Sequence, residues 1–164
     1  MYKRQITYKE IFPYIKENKV WVGYRFGDMA FRVPADTEPR KTRFWIDETG
    51  QKWRSLGNAM WLTNIDIERR HHELKLTKYF DPKLYPQFDN FDGINVTRVA
   101  DIPKDYDGIM GVPITYIKYH NGSQFEIIGE ANHGSDNEFD LFKPRVNGKE
   151  LFKRILIRRK DNLK

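Results

Sequence analysis

The sequence predicts a mixed α+β fold of many short strands and few short helices, and three observations carry that expectation. Apolar runs rich in Val, Ile, Trp, Tyr and Phe recur between clusters of Gly, Pro, Asn and Asp, the punctuation of a strand-rich chain. Helical spacing of apolar residues is confined to residues 8–17 and 114–119. With 164 residues, 39% hydrophobic, 15% aromatic and 32% charged, the chain is sized for one domain and is too apolar for a disordered tail.

The opening Met1-Tyr2-Lys3-Arg4-Gln5 matches a common sequencing-library transposon adapter read through from a GTG start. Residues 1–5 are therefore expected to be a library scar on a reading frame cut short upstream, the alternative being an ordinary basic N-terminus. Structure is expected from Thr7, whose hydroxyl can cap a helix over Tyr8 to Glu17 while Glu10 reaches back. Ile11 and Ile15 share a face of that helix, Pro13 keeps it short and Asn18 suits its stop. Val20 to Tyr24 reads as a strand and Phe31 to Val33 as a weaker one, followed by a polar loop over residues 35–42. Residues 43–46 and 51–54 flank Asp47-Glu48-Thr49-Gly50, a hairpin pattern with glycine at the left-handed position. Met60 to Ile65 is a buried-strand candidate that runs into the polar cluster Asp66 to His72.

An aromatic, Asp- and Pro-rich loop spans residues 79–92, then Ile94 to Val96 forms an apolar run and residues 105–108 a turn. Pro113 opens a short helix over Ile114 to Tyr119, and Gln124 to Ile128 reads as a strand. Asn147-Gly148 is a two-residue primed turn with Leu151 to Arg158 as the return strand.

The net charge of +6 is localised. Residues 145–164 hold eight Lys and Arg against Glu150 and Asp161, and the remainder balances. A pI near 9.4 permits a polyanion partner, because Lys and Arg displace counterions from a phosphate backbone; a solvated basic tail explains the same letters. Zero cysteines exclude disulfides, Cys-ligated zinc and thiol catalysis, and suit a cytoplasmic protein. No apolar window approaches the roughly 20 residues of a membrane span, which leaves no expected membrane partner.

No G-x-G-x-x-G, Walker loop, H-E-x-x-H or G-x-S-x-G is present, and no P-D…E-x-K spacing supports a magnesium nuclease. His71 and His72 are adjacent and diverge on any regular element, while His120 and His133 stand apart, so no metal site is expected. What remains is basic residues among aromatics: Arg69, Arg70, His71, His72 and Lys75 after a strand, then Arg98, then a terminal set that includes Arg154, Arg158 and Arg159. Such a composition suits phosphate contact with some base reading, and these nine are the candidate DNA-binding residues.

Residues 6–23 (ITYKEIFPYIKENKVWVG), 60–66 (MWLTNID) with Arg70-His71, 85–96 (YPQFDNFDGINV), 102–115 (IPKDYDGIMGVPIT) and 124–129 (QFEIIG) resemble, in that order, the EcoRI-type adenine-specific DNA methyltransferase family. In that family the methyl-donor site and an Asn-Pro-Pro-Phe motif lie upstream of the segment matching Ile6. The motif holds the flipped adenine through hydrogen bonds to its exocyclic amine and a stacked ring. No Pro-Pro pair occurs in this sequence, so no residue inherits a catalytic or cofactor role.

The resemblance implies an α/β class: residues 6–65 would be the closing helix and strands of a Rossmann-like class I methyltransferase sheet, and residues 66–164 a strand-rich target-recognition region. It also implies S-adenosylmethionine in the intact enzyme with none bound to this piece. The implied partners are duplex DNA and an absent N-terminal methyltransferase half, within a restriction–modification system. A stand-alone DNA-binding module is the rival reading.

Overall fold

The computed structural model describes residues 6–131 and 143–160, apart from the side chains of residues 24–27 and 58. Residues 1–5 and His133, singled out above, lie outside them. The chain opens with one short α-helix, α1 (Phe12–Lys16), then lays down a ribbon in which β1 (Trp21–Arg32) and β3 (Lys52–Thr63) pair antiparallel along most of their length. β2 (Phe44–Ile46) joins the other side of β3, giving a three-stranded sheet in the order β1-β3-β2.

A second sheet follows, built from β4 (Gln87–Phe88), β5 (Phe91–Asn95), β6 (Met110–Pro113), β7 (Phe125–Ala131) and β10 (Arg154–Arg159) in the order β4-β5-β6-β10-β7. Only β5 and β6 run parallel there. β8 (Arg145–Val146) and β9 (Lys149–Glu150) form a separate small hairpin.

The mixed α+β, strand-rich expectation holds. The described residues do not form a doubly wound parallel sheet: the strands between residues 21 and 63 pair antiparallel with one another, and they share no ladder with the second sheet. The hairpin expected across residues 47–50 is present as β2–β3, with Gly50 at φ +82°, where a side chain would be strained. Asn147 and Gly148 adopt φ of 51° and 72°, the primed turn their sequence predicts.

Three expectations are corrected. The helix does not start at Thr7: Ile11 and Phe12 both donate to the Tyr8 carbonyl in a turn ahead of α1, and no side chain caps the helix. The Thr7 hydroxyl instead accepts from Lys153 Nζ at 3.0 Å, a partner 146 residues away that local spacing cannot reveal. Secondly, the two runs read at residues 20–24 and 31–33 are one strand, because pairing with β3 carries the polar and small residues between them.

Thirdly, the return strand after Asn147-Gly148 does not pair back. β10 leaves the small hairpin and inserts between β6 and β7. Its apolar triplet explains why. Ile155 and Ile157 pack on one face into the main core with Ile94, Val96, Met110, Tyr116 and Phe125, while Leu156 packs on the other with Ala131. A strand covered on both faces needs a continuous apolar run, and all three residues are fully buried.

Candidate nucleic-acid interface

The polar cluster after β3 forms a 3₁₀ turn, Glu68–His71, held through Arg69, Arg70 and the His71 carbonyl. Arg69 donates its guanidinium to the carbonyls of Val22 and Gly23 at the root of β1. Arg70 lies over the Trp21 ring, 3.6 Å from its centroid, and pairs with Asp66 at 3.2 Å. His71 Nε2 shares the same carboxylate at 2.8 Å, and both partners hold Asp66 below the ordinary carboxylate range, the His71 hydrogen bond most of all. Asn121, buried in the turn ahead of β7, donates to the His71 carbonyl at 3.1 Å. Gln124 clamps Leu74 by accepting from its N–H and donating to its C=O, each at 2.8 Å.

These contacts bring residues 68–75 to the end of the second sheet where β7 begins and β10 finishes. There Lys160 donates its N–H to the Gln124 carbonyl and its ammonium to the Gly122 carbonyl. His120 is packed beneath and takes a hydrogen bond with the Tyr116 hydroxyl at 3.0 Å. Burial, with help from the nearby Lys160 and Arg70 charges, pushes its imidazole down to about 4, so it is neutral at pH 7.

Seven of the nine candidates, Arg69, Arg70, His71, His72, Lys75, Arg158 and Arg159, therefore belong to segments gathered at this end of the second sheet. They differ in how free their charge is. Arg158 pairs with Glu126 at 3.1 Å, His72 stands 3.7 Å from Glu68, and Lys75 is exposed. Arg98 and Arg154 lie elsewhere. Arg98 makes a two-pronged pair with Asp101 at 2.7 and 3.2 Å. Arg154, at the opposite end of β10, donates to the buried Asn95 side chain at 2.9 Å, and burial lowers its guanidinium from its usual value.

Arg69 reads most directly as a tie between the 3₁₀ turn and the ribbon. Arg69→Ala is expected to lower the urea midpoint by the equivalent of about 1–3 kcal/mol, since two strand-root carbonyls lose a charged donor. An unchanged midpoint would remove that role.

Sequence reasoning passed over a second basic and aromatic group, on the ribbon. Arg32 lies 5.4 Å from the Trp53 ring centroid, and Trp53 stacks on Trp45 at 6.3 Å with 4° between planes. The signal was there in the alternation of Arg43-Phe44-Trp45 and Lys52-Trp53-Arg54, which was read only as a hairpin.

No cluster of three or more metal-ligating side chains occurs among the described residues, and no helix is long and apolar enough to cross a membrane. A methyl-donor pocket of the doubly wound kind needs a parallel strand, a Gly-rich turn and a helix N-terminus. The described parallel pair, β5 and β6, is bridged by a three-residue 3₁₀ turn, Val99–Asp101, and irregular chain. These residues do not fit S-adenosylmethionine.

A sequence of this kind, with an antiparallel ribbon ahead of a mixed sheet, matches the family model described as adenine-specific methyltransferase EcoRI over residues 2–160. The chain belongs to that family. It is 47% identical over 159 residues to the type II methyltransferase M.EcoRI of Escherichia coli, covering 94% of this chain and 47% of that protein. It is 29% identical to the type II methyltransferase M.MgeORF184P of Mycoplasma genitalium and 27% identical to M.MpnI of Mycoplasma pneumoniae, covering 54% of each. The chain thus spans about half the length of these relatives. No solved structure matches it.

Proposed function

We propose that this chain is the C-terminal, DNA-contacting part of a type II DNA methyltransferase. The intact protein would move a methyl group from S-adenosylmethionine to the N6 amine of a flipped adenine in duplex DNA, as one arm of a restriction–modification system. The observation that carries this is the match along nearly the whole chain to proteins about twice as long, in a family described as adenine-specific. In the intact enzyme, α1 and the root of the ribbon, where Val22 and Met60 enter the core, would close the donor-binding sheet. The edge bearing His71, His72, Lys75, Arg158 and Arg159 would face the phosphate backbone.

The described residues build no donor pocket, and the sequence holds no Asn-Pro-Pro-Phe motif. Incubated with labelled S-adenosylmethionine and duplex DNA, it is expected to transfer no methyl group above a no-protein blank. It is also expected to bind the duplex with an affinity that falls steeply as salt rises, because each neutralised phosphate contributes about −0.9 to the slope of log K against log salt. Methyl transfer above the blank, or absence of duplex binding at low salt, would overturn the reading.

A further inference from the structure

Away from the basic edge, the ribbon and the loop between its strands carry a second group of cations without acidic partners among the described residues, as do single exposed lysines such as Lys9, Lys78 and Lys83. In the remainder of the chain, Arg70, Arg98, Lys143, Arg145 and Arg158 each sit within 3.5 Å of an Asp or Glu carboxylate. On the ribbon, Arg32 and Arg54, and in the loop joining β1 to β2, Arg40 and Lys41, have no carboxylate partner among the described residues. The distinction matters because a paired cation must give up its partner before it can serve a phosphate, whereas an unpaired one displaces counterions directly.

The shape agrees with the charge. Strands of 12 residues extend about 40 Å, more than is needed to cover the second sheet. Core burial is at the root, through Val22, Ala59 and Met60, while between residues 28 and 56 only Val33 is buried. Phe31, Trp45, Ile46 and Leu56 are each more than 40% exposed along that outer stretch. It is nevertheless braced. Arg32, Trp53 and Trp45 are directly opposite one another across the three strands and stack as a ladder. Trp53 also donates to Asp47 at 2.7 Å, and Arg43 donates to the Leu56 carbonyl at 3.2 Å.

The ribbon's acids are partly absorbed by its own turns. Asp28 accepts from Ser55, and Asp47 takes Thr49, Gln51 and Trp53. Asp36 and Glu38 in the connecting loop and Glu48 at the hairpin turn remain, fewer than the cations around them.

We infer that the outer half of the β1–β3 ribbon is a second DNA contact: an arm laid along the duplex whose cations Arg32, Arg40, Lys41 and Arg54 meet phosphates. The outer half, widened to three strands by β2, can lie along the phosphate backbone, where unpaired cations set the register and the exposed aromatics beside them add contact. The inference rests on the reading of the chain as DNA-contacting, and deepens it by adding a surface outside the basic edge.

The test compares three proteins in duplex binding titrated against salt: the unaltered chain, a triple variant Arg40→Gln/Lys41→Gln/Arg54→Gln, and a control Lys9→Gln/Lys78→Gln/Lys83→Gln that removes the same charge from other surfaces. The arm variant should lose about 2 to 3 from the magnitude of the salt slope, and on the order of a hundredfold in affinity at 0.1 M salt. The control should keep its slope. Thermal melts establish that each variant is folded, and the single Lys41→Gln, expected to lose about 0.9 from the slope, guards against a misfolded triple. Equal slopes in the chain and the arm variant overturn the arm and leave the DNA reading standing. A chain that binds no duplex overturns both.

Discussion

A chain shortened to end at Leu151 is expected not to fold: its far-ultraviolet spectrum should lose the sheet signature and its thermal melt should lose cooperativity. The segment removed includes β10, the strand lying between β6 and β7. Without it those two strands lose their common partner, and the backbone groups that faced β10 are left unpaired in the interior. Ile155, Leu156 and Ile157, fully buried, each contribute about 1.5–3 kcal/mol of burial. Their sum with the lost ladder reaches the whole stability of a domain this size, about 5–15 kcal/mol. A cooperative melt in the shortened chain would refute the central place given to β10.

That placement also shows how far a sequence can be read. The letters Arg154, Arg158, Arg159 and Lys160 look like a basic tail, and the charge count says no more than that. What distinguishes a tail from a central strand is the Ile-Leu-Ile triplet between them, whose partners lie more than 20 residues away in β7 and more than 40 in β6. Elements set by local chemistry were legible: the Asp47 to Gly50 turn, the Asn147-Gly148 turn, the short helix opened by Pro113 and the strand after Gln124. Elements set by distant partners were not. Thr7 looks like a cap until Lys153 arrives, and β1 looks like two runs until β3 pairs with both.

The candidate site divides in the same way. Sequence grouped Arg69 to Lys75 correctly as neighbours but could not show that Arg69 grips β1 carbonyls and Arg70 covers Trp21. Nor could it show that Arg154 belongs to Asn95. Basic residues counted by position alone are potential phosphate contacts; counted by partner, several are structural. Counting by partner also brings in the ribbon, where Arg54 and the loop cations Arg40 and Lys41 have no acidic partner among the described residues.

Glu130→Gln is expected to stabilise the chain above neutral pH by about 2–3 kcal/mol and to change the shape of its pH–stability profile. Glu130 lies near the end of β7, 4% exposed, with Oε2 lacking a hydrogen-bond partner among the described residues. Burial pushes its carboxyl up to about 7, against the pull of Lys153 and the Thr7 hydroxyl. The sign follows from proton counting. Between about 4.5 and 7 the folded chain holds a proton that the unfolded chain has released, so stability declines as pH rises through that window.

His120 works the other way. Its folded value near 4 means that the unfolded chain takes up a proton near 6.5 which the folded one refuses, so stability declines as pH falls from 6.5 toward 4. The two slopes oppose one another between pH 4.5 and 6.5, giving the unaltered chain a shallow profile there. With Glu130 replaced, the histidine slope stands alone: urea midpoints should climb from pH 4 to 6.5 and level off above it. Profiles for the two proteins that run parallel from pH 4.5 to 8, separated by a constant offset, would mean that Glu130 is ionised in the fold throughout and that its buried oxygen has a partner after all.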